Sequence, residues 1–129
     1  RIIVAMNSSC GTIKHVINEL RKKGEKVGLL KIRVFRPFMP EIIVRHLESS
    51  KAVAVLDRAA SFGAYGGPLF SEIRSAFHEN KKKPHIINYI YGLGGRDLTT
   101  KLVEQVYNEL KDVASGNIGP ETRTLGVRE

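Results

Sequence analysis

The sequence predicts an α/β domain in three layers: a mostly parallel open sheet with helices on both faces. Three observations predict it. Strand-like and helix-like segments alternate four times along 129 residues, and parallel neighbours require such crossover connections, which are expected to be right-handed. Ala52-Val53-Ala54-Val55-Leu56 is an unbroken apolar run of strand length, the mark of a central strand covered on both sides. Helical segments carry apolar stripes at i, i+3, i+4 and i+7 between these runs.

In chain order, Ile2 to Met6 reads as the first strand. Thr12 to Lys23 reads as a helix with Ile13, Val16, Ile17 and Leu20 on one stripe, ended by Gly24. Lys26 to Phe35 is a second strand, closed by Arg36-Pro37-Phe38-Met39-Pro40. Pro40 suits the first position of a short helix, Glu41 to Glu48, with Ile42, Ile43 and Leu47 inward. The third strand is Ala52 to Leu56, and a long loop, Asp57 through Gly67, leads into Pro68 and a stripe of Leu69, Phe70, Ile73, Ala76 and Phe77. His85 to Tyr91 is the fourth strand and Gly92-Leu93-Gly94-Gly95-Arg96-Asp97 the fourth loop. Asp97 is placed to cap a last helix running to Ala114, with Leu98, Leu102, Val106, Leu110 and Val113 facing in. Residues 1–114 thus form the domain, and 115–129 a tail whose Thr122 to Val127 can add an edge strand.

Composition narrows the class of function. The balance of 42% hydrophobic and 26% charged residues belongs to a chain that folds, and its size allows one core without disulfides or metals. No apolar run reaches the ~20 residues needed to cross a bilayer, and no secretory signal opens the sequence, so neither membrane nor export is expected. One cysteine, Cys10, forbids an internal disulfide and fits the cytoplasm. A hydrophobic strand at the first residue, without an initiator Met, is expected of a cut within a longer chain.

A formal charge of +8 raises nucleic acid as a partner. Placement argues against it: Arg21-Lys22-Lys23 and Lys81-Lys82-Lys83 each follow an amphipathic segment, where the helix dipole favours cations, and no aromatic residues interleave with them. A basic face for an acidic protein remains as an alternative, as does a small nucleotide-binding enzyme.

Every strand-to-helix turn of a parallel sheet leaves its carboxyl edge, so 7–11, 36–40, 57–67 and 92–97 are expected on one rim, where ligands and partners of open α/β sheets meet the protein. The chemistry available there is sparse. Gly92-Leu93-Gly94-Gly95-Arg96-Asp97 has two glycines of a dinucleotide fingerprint, but an aspartate where the third belongs would repel a pyrophosphate. Gly63-Ala64-Tyr65-Gly66-Gly67-Pro68 includes a proline that removes a needed N–H donor, and neither loop is followed by the lysine of a P-loop. His15, His46, His78 and His85 lack metal-ligand spacing. Cys10 lies just ahead of a helix N-terminus, without a paired base, and there is no Gly-x-Ser-x-Gly elbow. Asp57 and Arg58, at the end of the third strand, stand where α/β enzymes gather catalytic residues, yet no second acid or base recurs nearby. They suit a structural role better, Asp57 capping loop N–H groups and Arg58 reaching a carboxylate or carbonyl. No catalytic, cofactor-binding or metal residue is assigned. The expected interface comprises Asp57, Arg58, Ser61, Phe62, Gly63, Gly66, Gly67, Pro68, Gly92, Gly94, Gly95, Arg96 and Asp97.

Three blocks carry a resemblance: Gly28 to Phe38, then Leu56-Asp57-Arg58 with Ser61-Phe62-Gly63 and Gly66 to Phe70, then Gly92 to Asp97. Together they resemble the C-terminal part of the alpha subunit of pyruvate:ferredoxin oxidoreductases, from Ile3 to about Leu110, and Leu125-Gly126-Val127-Arg128 is similar to that subunit's natural end. Asn7 stands where that family is expected to have glycine. The resemblance implies a domain like the transketolase C-terminal domain. The complex it implies converts pyruvate, coenzyme A and oxidised ferredoxin to acetyl-CoA, carbon dioxide and reduced ferredoxin. It also implies that thiamine diphosphate, magnesium, [4Fe-4S] clusters and the main coenzyme A contacts lie on other domains or subunits. This chain would then be inactive alone, with those domains and subunits as partners and ferredoxin as electron partner of the complex. Sister enzymes for branched 2-oxoacids or 2-oxoglutarate share the architecture.

Overall fold

The structure, a computed structural model, describes residues 1–6, 10–32, 40–58, 68–92 and 98–126. Its elements are β1 (Ile2–Met6), α1 (Cys10–Lys22), β2 (Gly28–Ile32), α2 (Pro40–Leu47), β3 (Ala52–Arg58), α3 (Pro68–Ala76), β4 (His85–Tyr91), α4 (Thr100–Ala114) and β5 (Thr122–Thr124). The five strands form one sheet in the order β2-β1-β3-β4-β5, and every pairing is parallel. β3 and β4 pair along their whole length, from Ala52 opposite His85 to Arg58 opposite Tyr91. The tail contributes β5, with Thr122 opposite Asn88.

Strand alternation divides the core into two layers. On one face Ile3, Ala5, Ala52, Ala54, Leu56, Ile87 and Tyr89 meet α1 and α4. On the other, Val4, Val53 and Val55 meet α2 and α3 through Ile43, Leu47, Leu69, Phe70, Ile73 and Phe77. The apolar run of β3 serves both layers, which is why it has no polar side until Asp57.

These faces fix the hands of the crossovers. α3 and α4 each carry the chain one strand toward the β5 edge, yet they lie on opposite faces, so their crossovers have opposite hands. The connections through α1, α2 and α3 share one hand, and β4–α4–β5 is the exception to the near-universal rule that such crossovers are right-handed. A dense clamp holds this exceptional connection. The Tyr89 hydroxyl donates to Glu109 Oε1 at 2.6 Å, Arg123 Nη1 donates to the same oxygen at 3.2 Å, and Gln105 Nε2 donates to Glu109 Oε2 at 3.0 Å. Arg123 also donates to the carbonyls of Pro120 and Ile118, tying the 115–121 segment to β4 and α4.

Several boundaries differ from the sequence expectation. α1 starts at Cys10 rather than Thr12, so the cysteine is its first residue instead of lying in the turn ahead. Gly24 ends it as expected: at φ +85° it lets its own N–H reach the carbonyl of Arg21 and that of Glu25 reach Leu20, which satisfies the last helical carbonyls. β2 spans Gly28–Ile32, so Lys26 and Val27 precede it, while 33–35 lie outside the described residues. α2 runs from Pro40 to Leu47, and Ile42 faces solvent at 41% exposure, since the inward pair is Ile43 and Leu47, one residue round the helix. β3 extends through Asp57 and Arg58, which are strand residues rather than loop. Thr99, and not Asp97, caps α4, its Oγ1 accepting from the N–H of Leu102 at 3.2 Å. With that later start the inward stripe becomes Val103, Val106, Tyr107, Leu110 and Val113, and Leu98 and Leu102 sit partly buried at its border.

Candidate functional site at the carboxyl edge of the sheet

Because all five strands run parallel, Met6, Ile32, Arg58 and Tyr91 end on one edge. The strand order reverses between β1 and β3, and crevices form outside the carboxyl ends of strands at such a switch point. Of the expected interface residues, Asp57, Arg58, Pro68 and Gly92 are described here. Ser61, Phe62, Gly63, Gly66, Gly67, Gly94, Gly95, Arg96 and Asp97 lie outside the described residues.

Among the described residues of this edge, Asp57 is a buried and fully engaged polar group. At 7% exposure its carboxylate lies on the α2/α3 face of the sheet, directly before the first turn of α3. Oδ1 accepts from the N–H of Leu69 at 3.0 Å, and Oδ2 from the N–H of Phe70 at 3.1 Å. Those are the second and third positions of α3, where an N-cap side chain normally binds. The residue ahead of Pro68 is Gly67, which has no side chain to do this, so a strand residue supplies the oxygen instead. The donors are therefore helical N–H groups, not the loop N–H groups expected from sequence.

A third hydrogen bond completes the cluster. The Asn88 side-chain amide, fully buried in β4, donates to Asp57 Oδ2 at 3.0 Å and to the Val55 carbonyl at 3.1 Å. Burial pushes the Asp57 carboxyl above its ordinary range, while the bonds from Leu69, Phe70 and Asn88 pull it back. A carboxylate held by three N–H donors is occupied in joining β3, β4 and α3. Sequence reading missed Asn88. The only signal was one amide inside the apolar run Ile86-Ile87-Asn88-Tyr89-Ile90.

Arg58 is exposed at the end of β3, and its side chain lies along the neighbouring strand end. Gly92 has φ +81°, and a Cβ there would sit 3.2 Å from Arg58 Cγ. The left-handed backbone calls for glycine, and a side chain there would also crowd the Arg58 stem.

This frame matches a known one: the family model "Pyruvate:ferredoxin oxidoreductase core domain II" covers residues 1–103. The chain belongs to that family. It is 45% identical over 129 residues to pyruvate synthase subunit PorA of Thermotoga maritima, covering 99% of this chain and 32% of that subunit. It is 44% identical over 121 residues to ketoisovalerate oxidoreductase subunit VorA of Pyrococcus furiosus, covering 93% of this chain and 30% of the relative. To the pyruvate:ferredoxin oxidoreductase of Moorella thermoacetica it is 40% identical over 111 residues, 85% of this chain and 10% of that protein. The chain thus spans about a third of the length of the subunits it matches.

The other groups of this oxidoreductase core domain have structural positions. Cys10 is buried, its thiol reaches the Met6 carbonyl at 3.3 Å, and burial pushes its pKa up against the opposing charges of Lys31 and Lys14, the reverse of an activated thiol. The four histidines fall on separate parts of the chain, and no group of three His, Cys, Asp or Glu side chains among the described residues could hold a metal ion. No helix among the described residues is long and apolar enough to cross a membrane.

Proposed function

We propose that this chain is the C-terminal, non-catalytic domain of the alpha subunit of a 2-oxoacid:ferredoxin oxidoreductase, with pyruvate as the substrate of the assembly. Its carboxyl-edge rim then packs against other domains or subunits of a cytoplasmic hetero-oligomer that delivers electrons to ferredoxin. The observation that carries this reading is 45% identity along 99% of the chain to a pyruvate synthase subunit. The geometry of Asp57 supports the non-catalytic part, because the one buried acid among the described residues of the rim is already committed to three hydrogen bonds. One buried cysteine does not fit a cluster that needs four thiolates, so the [4Fe-4S] centres are assigned to other parts of the assembly, together with thiamine diphosphate, magnesium and coenzyme A.

The test uses the purified complex with ferredoxin as acceptor and compares pyruvate, a branched 2-oxoacid and 2-oxoglutarate. Pyruvate should give the highest kcat/KM. A preference for the branched acid would replace pyruvate with the substrate class named for the Pyrococcus relative. For the interface, Gly66→Val and Gly95→Val should weaken subunit association by native mass spectrometry. Wild-type association of both variants would remove the rim from the interface.

A further inference from the structure

At the edge of the sheet opposite the rim, the amino ends of β1 and β2, the residues just ahead of β3 and the last turns of α1 and α4 enclose an open groove of about 920 Å³. Five cationic side chains line it, Arg1, Arg21, Lys26, Lys51 and Lys111, against a single carboxylate, Glu25. Glu25 is already shared, at 2.9 Å from Arg1 and 2.7 Å from Lys111, and Arg21 is held by two bonds to the Val27 carbonyl, at 3.1 and 3.0 Å. Lys26 and Lys51 carry no ion pair among the described residues. Neither lies within a helix, so the helix dipole that accounts for Arg21 and Lys111 does not account for them.

We propose that this groove seats an acidic segment of the same subunit, drawn from the part of it outside these 129 residues. The inference rests on the reading that the chain is one domain of a longer subunit. Lys26 stands ahead of β2 and Lys51 ahead of β3, with β1 between those strands, so the two lysines without ion pairs are two strand spacings apart, about 9–10 Å, which fits an extended acidic stretch better than a compact anion. Solvent-exposed ion pairs are weak, about 0.2–1 kcal/mol each. A few such pairs do not recruit a separate protein, whereas a segment that its own chain presents at millimolar effective concentration needs far less intrinsic affinity. The chain corresponds to 32% of the Thermotoga subunit, which leaves about two-thirds of such a subunit to supply that segment.

Zero-length carbodiimide crosslinking of the intact complex tests this, because the reagent joins a lysine amine only to a carboxylate in contact with it. Peptide mapping should find Lys26 or Lys51 joined to Asp or Glu of the same subunit beyond residues 1–129. Links confined to carboxylates within these residues, links to a different subunit, or no links from either lysine would overturn the proposal. In the Lys26→Glu/Lys51→Glu subunit, hydrogen exchange at amides 26–28 and 49–51 should quicken about fivefold, the loss of a pair or two of this strength. Lys26→Arg/Lys51→Arg should stay at the wild-type rate. Unchanged exchange in the charge-reversed subunit would likewise overturn it. Failure here leaves the pyruvate assay untouched, so the domain's family role and the groove's occupant are judged separately.

Discussion

At the scale of single residues, the heaviest consequence falls on Asp57, because three donors share one carboxylate in a nearly dry site. Asp57→Ala removes the acceptor shared by the N–H groups of Leu69 and Phe70 and by the Asn88 amide, which keeps its bond to the Val55 carbonyl. A buried donor left unsatisfied costs about 1–3 kcal/mol. In the intact subunit, exchange at the Leu69 and Phe70 amides should therefore quicken about tenfold or more, since 1.4 kcal/mol is a factor of ten. Wild-type exchange would mean that solvent reaches those donors without cost. Gly92→Ala should destabilise by about 1–2 kcal/mol through its left-handed backbone alone, with the Arg58 contact adding to it, read as a lower Tm of the subunit. Part of this was legible in the sequence. Asp57 drew notice because a charge ends an apolar strand, and Gly67-Pro68 announced a helix start without a local cap. Asn88 did not, because its partner lies 31 residues away and only the register of β3 against β4 brings the two together.

Among the elements, α4 offers two measurements. Thr99→Ala removes the cap of the N–H of Leu102 and should cost about 0.5–2 kcal/mol, seen as faster exchange in the first turn of α4 with the centre of the helix unchanged. Glu109 connects α4 to β4 and β5. Burial raises its pKa, but the bonds from Tyr89, Gln105 and Arg123 outweigh this and hold the carboxyl below its ordinary 4.5. A depressed folded value means that the clamp contributes fully above pH 4.5 and loses its contribution as pH falls through the lower folded value. Wild type should consequently lose more Tm below pH 4.5 than Glu109→Gln, and parallel acid profiles would show that the clamp is not linked to this proton. The helical stripes were readable because buried positions repeat every three to four residues. The start of α4 was misread because Asp97 and Thr99 are both good caps two residues apart, and the stripe was misplaced in the first turns because Leu102 and Val103 are adjacent apolar residues of which Val103 is the fully buried one.

For the molecule as a whole, the alternation of strands and helices was enough to predict a parallel sheet with a common carboxyl edge, because short parallel connections leave few other arrangements. The order β2-β1-β3-β4-β5 was not predictable, since alternation does not say which edge each new strand joins, and the expected right-handed crossover fails at β4–α4–β5 because the hand there depends on which face α4 chooses. That choice is made by apolar surface: α1 alone leaves Ile87, Tyr89 and Leu56 uncovered, and the stripe of α4 closes over them. One layer of the core is therefore built from opposite ends of the chain, with Ile13, Val16 and Ile17 packed in the same cluster as Val106, Tyr107, Leu110 and Leu125. A ribosome releases the first helix long before the last one exists. During that interval α1 rests on a half-covered sheet, and the layer cannot close until the final turns of α4 and the short strand beyond it have left the exit tunnel. A nascent chain halted before Leu125 should accordingly stay protease-sensitive on the α1 side while α2 and α3 are already protected.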